Sequence, residues 1–304
     1  MEVPGQMGGE CLDAILAQLL PERSRAAWQK AVRRGQVRVD GKRVLRSNVR
    51  IGGGARLRIQ LPASEVASDP SRLSVIHEDQ DILVIDKPAG LLTHGNEKNR
   101  EESLADLVVE RYGRLPLLMG EERPGVVHRL DRQTSGVTVL ARTAEAMEHL
   151  REAFRSREVR KQYLALVHGQ PRSKTLQLDW NLGPQGDHPD RQECCSGDRG
   201  KPASTKVELI EVLGEQSLLR CTPTTGRRHQ IRVHLSAAGL PIVADELYGL
   251  RGAPDLPQGA PRLRCHALHA QVLAFRHPRT GLEVEFRAEP PAAINELVDW
   301  LRGQ

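Results

Sequence analysis

Gly125-Val-Val-His128-Arg129-Leu130-Asp131-Arg132-Gln133-Thr134-Ser135-Gly136-Val-Thr-Val-Leu140 places one carboxylate between two guanidiniums on a turn. Val126-Val127 leads in, Thr134-Ser135-Gly136 turns the chain, and the β-branched run to Leu140 leaves as a strand. A loop of this kind adds little to a core and is well suited to presenting a reactive group. Arg129 and Arg132 are expected to keep Asp131 ionised, because a neighbouring cation favours the charged form. In isolation Arg-Leu-Asp-Arg reads as a loop salt bridge, so the decision rests on what surrounds it.

Outward from this stretch, periodicity predicts strands at Leu73–Ile76 and Ile82–Ile85, then the loop Asp86-Lys87-Pro88-Ala89-Gly90. Ser103 opens a helix, and Thr143 caps another whose Met147, Leu150 and Phe154 share a face. Lys161–Gly169 reads as a strand, and residues 183–202, rich in Gly, Pro, Asp and Arg, as an exposed loop. Strands resume at Val207–Val212 and Leu218–Cys221, and a helix runs from His229 to Ala238, ended by Gly239. A hairpin turns at Pro278–Gly281, and Ile294, Leu297, Val298 and Leu301 mark a closing amphipathic helix. Many strands without regular helix alternation predict an α+β fold with a mainly antiparallel mixed sheet.

The 304 residues suffice for two domains. Residues 1–9 read as a disordered leader, 10–62 as a small α+β domain, 63–72 as a polar linker and 73–304 as the main domain. Net charge is +5, but residues 10–62 hold twelve Lys/Arg against four Asp/Glu, whereas 63–304 hold thirty-two against thirty-four. The surplus therefore sits in the small domain, as nucleic-acid affinity requires. Its two helices, the second capped by Ser24, would carry Arg25, Lys30, Arg33 and Arg34 on a surface shared with Trp28. Val37–Val39, an Asp40-Gly41 turn and Leu57–Ile59 supply short strands.

No stretch nears the ~20 apolar residues of a membrane span. Cys11, Cys194, Cys195, Cys221 and Cys265 show no paired spacing, which suits a reducing cytoplasm. His266-Ala-Leu-His269 and His229…His234 lack the carboxylate of a helical metal motif, and no Gly-x-Ser-x-Gly elbow exists. Neither a metal-dependent nor a serine hydrolase is favoured, and no metal or cofactor is expected.

Three further stretches carry reactive side chains: Lys161-Gln-Tyr163, Thr225-Gly226-Arg227-Arg228-His229-Gln230-Ile231-Arg232-Val233-His234 and Asp245-Glu-Leu-Tyr248-Gly249. Helical spacing predicts that Arg228 and Arg232 share a face, as do Gln230 and His234. Each stretch alone has an ordinary structural explanation. Together and in this order they resemble the RluA-type pseudouridine synthases over residues 73–290. Residues 10–62 resemble the small RNA-binding domain named after ribosomal protein S-four, with Gly53-Gly54-Ala55 where that domain has Gly-Asp.

The resemblance implies an isomerase that converts uridine to pseudouridine in RNA after flipping the base. It implies Asp131 as catalytic aspartate, Tyr163 as the tyrosine packed on the base, Arg232 as the aspartate's partner and Arg129 as the residue entering the vacated helix. Arg228 and the basic residues of the N-terminal domain would contact RNA. The domain pairing implies large-subunit ribosomal RNA as substrate, and Thr93-His94-Gly95-Asn96 leans towards the RluC branch. Transfer RNA modification or RNA binding without catalysis are the alternatives. A monomer without an obligate protein partner is expected.

Overall fold

The computed structural model describes residues 1–20, 25–33, 35–59, 73–95, 102–117, 123–186, 188–197, 199–250 and 256–304. In chain order the elements are α1 (Leu12–Leu19), α2 (Arg25–Arg33), β1 (Val37–Val39), β2 (Lys42–Arg43), β3 (Leu57–Ile59), β4 (Ser74–Glu78), β5 (Ile82–Lys87) and α3 (Leu104–Tyr112). There follow β6 (Ser135–Ala141), α4 (Ala144–Arg155), β7 (Arg160–His168), β8 (Thr175–Asp179), β9 (Asn181–Gln185), β10 (His188–Cys195), β11 (Ser204–Leu213) and β12 (Gln216–Pro223). The chain closes with α5 (Gln230–Ala237), β13 (Leu268–Arg276), β14 (Glu283–Arg287) and α6 (Ala292–Arg302). It divides into two compact units: Met1–Arg72 with Asn96–Arg100 and Asp106–Gly113, and Leu73–Gly95 with Glu101–Ala105 and Arg114–Gln304.

In the first unit Leu12, Ile15 and Leu16 of α1 meet Trp28 and Val32 of α2 and Val37 of the sheet β2-β1-β3. Trp28 does not share a surface with the basic residues: it is buried, and its indole Nε1–H donates to the Leu20 carbonyl at 3.1 Å. Nor are residues 1–9 a disordered leader. Val3 is buried and exchanges backbone hydrogen bonds with Gly54 and Ala55, and Leu57 N donates to the Met1 carbonyl. The glycines that suggested disorder permit close backbone approach, since a Cβ on Gly53 would lie 2.8 Å from the Gly5 Cα. The Ser24 cap, the 63–72 linker and Arg34 lie outside the described residues.

The second unit is a nine-stranded sheet ordered β4-β5-β6-β13-β7-β12-β11-β8, with β14 also on β13. Every pairing is antiparallel except β6 with β13. That junction needs Gly136: its φ is +116°, and a Cβ there would meet the Ala270 carbonyl oxygen at 2.2 Å. Met147 and Leu150 of α4 pack with Ile82, Val139 and Phe275, while Leu297 and Leu301 of α6 and Leu235 of α5 join the core around β7 and β12. Thr143 caps α4, its Oγ1 accepting from Ala146 N.

Residues 183–202 are not an exposed loop. Most form the hairpin β9–β10, whose register shifts between His188 and Gln192. That shift, with Pro184 and Pro189, erases the two-residue period that identifies a strand.

Candidate active site

The loop before β6 carries Asp131 and is tied on every side. His128 is held neutral, its pKa lowered to about 3 by burial, and its Nε2 accepts from Val139 N. The Leu130 N–H donates to Thr93 Oγ1 at 3.1 Å, and that hydroxyl donates back to the Leu130 carbonyl at 2.9 Å. Thr134 and Ser135 hydrogen-bond His266 and His269 through their hydroxyls at 2.8 and 2.9 Å. Beneath the loop the buried Lys87 ammonium donates to the carbonyls of Pro88, Leu91 and Arg132. Burial lowers its pKa to about 7, against the opposing pull of the Asp131 charge.

Helix α5 supplies the cation that faces Asp131. Arg232 Nη1 donates to Asp131 Oδ2 at 3.1 Å, while its Nε and Nη2 form a bidentate pair with Asp245 at 2.7 and 2.8 Å. Asp245 is buried and also accepts from the backbone N–H groups of Leu247 and Tyr248. Burial opposes its charge, but the hydrogen bonds and charge of Arg232 outweigh that and lower its pKa. Asp131 Oδ1 accepts no hydrogen bond among the described residues. One carboxylate oxygen is anchored and the other is left to whatever enters.

What can enter is set by a pocket of about 480 Å³ lined by Arg129, Asp131, Lys161, Tyr163, Arg228 and Arg232, among others. Tyr163 stays protonated, its pKa pushed above the usual phenol value by burial and by the charge of Asp131. Burial lowers the pKa of Lys161, whose Nζ reaches the Thr225 carbonyl at 3.4 Å. Burial likewise lowers that of Arg129, opposed by Asp131 and assisted by Arg228 and Arg123.

The structure thus brings Asp131, Tyr163, Arg232, Arg129 and Arg228 to one pocket, with two corrections of detail. Arg132 is not a second clamp on Asp131; its Nε donates to the Gly90 carbonyl. Arg228 does not share a helical face with Arg232, because His229 between them has φ +56° and α5 begins only after it; Arg228 pairs with Asp190. Gln230 and His234 do share a face, both reaching Thr205 Oγ1. Asp245, Lys87 and Thr93 were not assigned site roles from sequence. The signals were an acid and a lysine in otherwise ordinary turns, with nothing local to reveal partners far along the chain.

The histidines considered as metal ligands already have protein partners: Thr134 for His266, Ser135 and the Ala288 carbonyl for His269, Tyr248 for His229, and Thr205 for His234. Among the described residues one metal-type cluster exists, Asp79, Asp81 and His277. There Asp79 accepts from His77 and His277, and Asp81 from Arg279.

In the first unit the predicted RNA-contact residues separate. Arg25 forms a bidentate pair with the buried Asp13 at 3.0 and 3.3 Å, whereas Arg33 is exposed. The side chain of Lys30 lies outside the described residues. On the sheet, Arg38 stands directly opposite both Arg43 and Arg58, so three exposed arginines cross it in a row.

The RNA pseudouridylate synthase model matches residues 81–237 and the S4 domain model residues 12–57. The chain is 37% identical to ribosomal large subunit pseudouridine synthase D of Xanthomonas campestris, covering 99% of this chain and 91% of that protein. It is 36% identical to the uncharacterized RNA pseudouridine synthase YlyB of Bacillus subtilis over 96% of this chain and 94% of that one. Among solved structures it resembles human RNA pseudouridylate synthase domain containing 4, with a TM-score of 0.59 at 26% identity, covering 75% of this chain and 93% of the other. The lean towards the RluC branch finds no support in these relatives.

Proposed function

Because the chain belongs to the RNA pseudouridine synthase family, we propose that it isomerises specific uridines of large-subunit ribosomal RNA, with Asp131 as the catalytic carboxylate. One observation carries this: Arg232 anchors a single oxygen of Asp131, the other accepts no hydrogen bond among the described residues, and Asp131 lines a pocket together with Tyr163. The reaction breaks the N1–C1′ bond of uridine and forms a C5–C1′ bond. C5 gives up one proton and N1 ends with one, so atoms and electrons balance without an oxidant.

Asp131 Oδ1 meets C1′ as nucleophile or as counter-charge to the sugar cation. Arg232 stays paired with the carboxylate as water leaves, and Asp245 keeps Arg232 in place. Tyr163, held protonated, packs on the freed uracil rather than removing its proton as a phenolate. Arg129 enters the gap in the RNA, offsetting part of the few kcal/mol that flipping costs. Arg228 and Lys161 face the phosphates near the target. Arg33 and the row Arg43–Arg38–Arg58, with Lys30 and Arg34, give affinity without sequence readout.

The protein is proposed to act as a monomer. The five free cysteines support a reducing cytoplasmic location, and no helix among the described residues is long and apolar enough to cross a membrane.

Site-resolved pseudouridine mapping in cells lacking the protein, restored with wild type or Asp131→Asn, tests the reading. The expected result is loss at particular uridines of large-subunit ribosomal RNA, restored by wild type alone. Loss confined to transfer RNA would reassign the substrate, and no change anywhere would favour an RNA-binding protein without catalysis.

A further inference from the structure

The proposed chemistry leaves His229 without a role, yet this residue is held in an unusual way. Its φ of +56° lies in the left-handed region that side chains with a Cβ seldom adopt, one residue before α5 begins. Such backbone persists where surrounding structure fixes it, and it gathers at functional sites. The fixing contact here is a hydrogen bond of 2.9 Å between Nδ1 and the Tyr248 hydroxyl.

The hydrogen-bond network also assigns the proton on the ring. Tyr248 Oη already accepts the Gln192 N–H at 2.7 Å. Its own hydrogen has one acceptor among the described residues, His229 Nδ1. With that hydrogen donated to Nδ1 the imidazole proton sits on Nε2, the atom that faces Asp131, 3.9 Å from Oδ2. Burial, assisted by the charges of Arg232 and Arg228 and opposed by Asp131, lowers the pKa of His229 to about 4, so the ring is neutral at physiological pH.

We propose that His229 is a positioning residue: a neutral imidazole whose Nε2–H closes onto Asp131 Oδ2 when substrate fills the pocket. Oδ2 is then held by two donors, Arg232 and His229, and Oδ1 is the oxygen presented to C1′. The gap of 3.9 Å is about 1 Å beyond a hydrogen bond, a distance that active sites close on forming the complex. Tyr248 fixes the tautomer, and Gln192 of β10 fixes Tyr248. The inference rests on Asp131 being the reactive group.

The test uses the full chain and [5-³H]uridine-labelled ribosomal RNA from cells lacking the protein, reading single-turnover tritium release and, separately, the Kd for that RNA. Relative to wild type, His229→Leu is expected to slow release about ten- to a hundredfold, the value of a hydrogen bond to a charged group, with Kd nearly unchanged. His229→Gln, which keeps an N–H donor of similar reach, recovers most of the rate. Tyr248→Phe, which keeps the ring but frees the tautomer, slows release severalfold.

Wild-type rates in the Leu or Tyr248→Phe variants, equal losses in the Leu and Gln variants, or a loss confined to Kd would each overturn the positioning role. If His229→Leu fails to fold, Tyr248→Phe decides alone. A wild-type protein that releases no tritium would instead overturn the proposed reaction.

Discussion

Charge is used in opposite ways in the two units. Around Asp131 the key charges are confined: Arg232 is bound by two carboxylates, Asp245 is buried, and the Lys87 ammonium is capped by three carbonyls. On the first unit's sheet Arg43, Arg38 and Arg58 stand exposed in a row, an arrangement that costs stability because like charges face each other directly. Confined charge fixes one carboxylate oxygen in place. Exposed charge is suited to a polyanion and tolerates its movement. The contrast separates turnover from affinity, and mutations on either side are expected to change one without the other.

The largest effect belongs to Asp131→Asn, which keeps the side chain's shape and removes its charge. Tritium release is expected to fall by more than about a thousandfold while RNA Kd and Tm hold. A retained rate would remove Asp131 from the chemistry.

Asp245→Asn strikes the same confined network one step back. Breaking a buried pair costs about 3–5 kcal/mol of stability, and turnover is expected to drop about a hundredfold as Arg232 loses its brace. Equilibrium unfolding alongside tritium release checks both. Unchanged turnover would show that Arg232 needs no such brace.

On the exposed side, Arg38→Gln, Arg43→Gln and Arg58→Gln together are expected to raise the RNA Kd about tenfold near 150 mM salt. The salt slope of binding flattens by about 0.7 per lost contact with single-stranded RNA. Tritium release at saturating RNA stays at the wild-type rate. A fall in that rate would break the separation.

The last effect is a pH slope. Unfolded, Lys87 holds its proton up to the ordinary value of 10.5; folded, it releases it near 7. Between those values the unfolded chain binds more protons, so stability rises with pH in this window. Lys87→Met is expected to lose that rise, as unfolding titrations of the two proteins would show. Parallel curves would mean that the buried ammonium keeps its proton.

Much of the second unit was legible because its signals are local. The β-branched run after Gly136, the Thr143 cap and the hairpin at Pro278–Gly281 each depend on residues a few positions apart. The hairpin β9–β10 was not, because its register shift and two prolines hide its alternation. Residues 1–9 misled for another reason: glycines that let two backbones touch have the composition of a disordered tail. In the site, the family resemblance carried by the ordered motifs singled out Asp131, Tyr163 and Arg232. The braces were invisible because Asp245, Thr93 and Lys87 act through partners 13, 37 and 45 residues away, a relation no spacing encodes.

Asp131 and Arg232 are 101 residues apart, and Thr134 and Ser135 reach partners 132 and 134 residues further on. A ribosome making this chain completes the aspartate roughly 5–20 s before its arginine. Until then Asp131 has neither Arg232 nor His229 beside it. Under the proposed chemistry, a chain that stops before Arg232 carries the carboxylate without the cation that anchors it, and activity waits on residues made later.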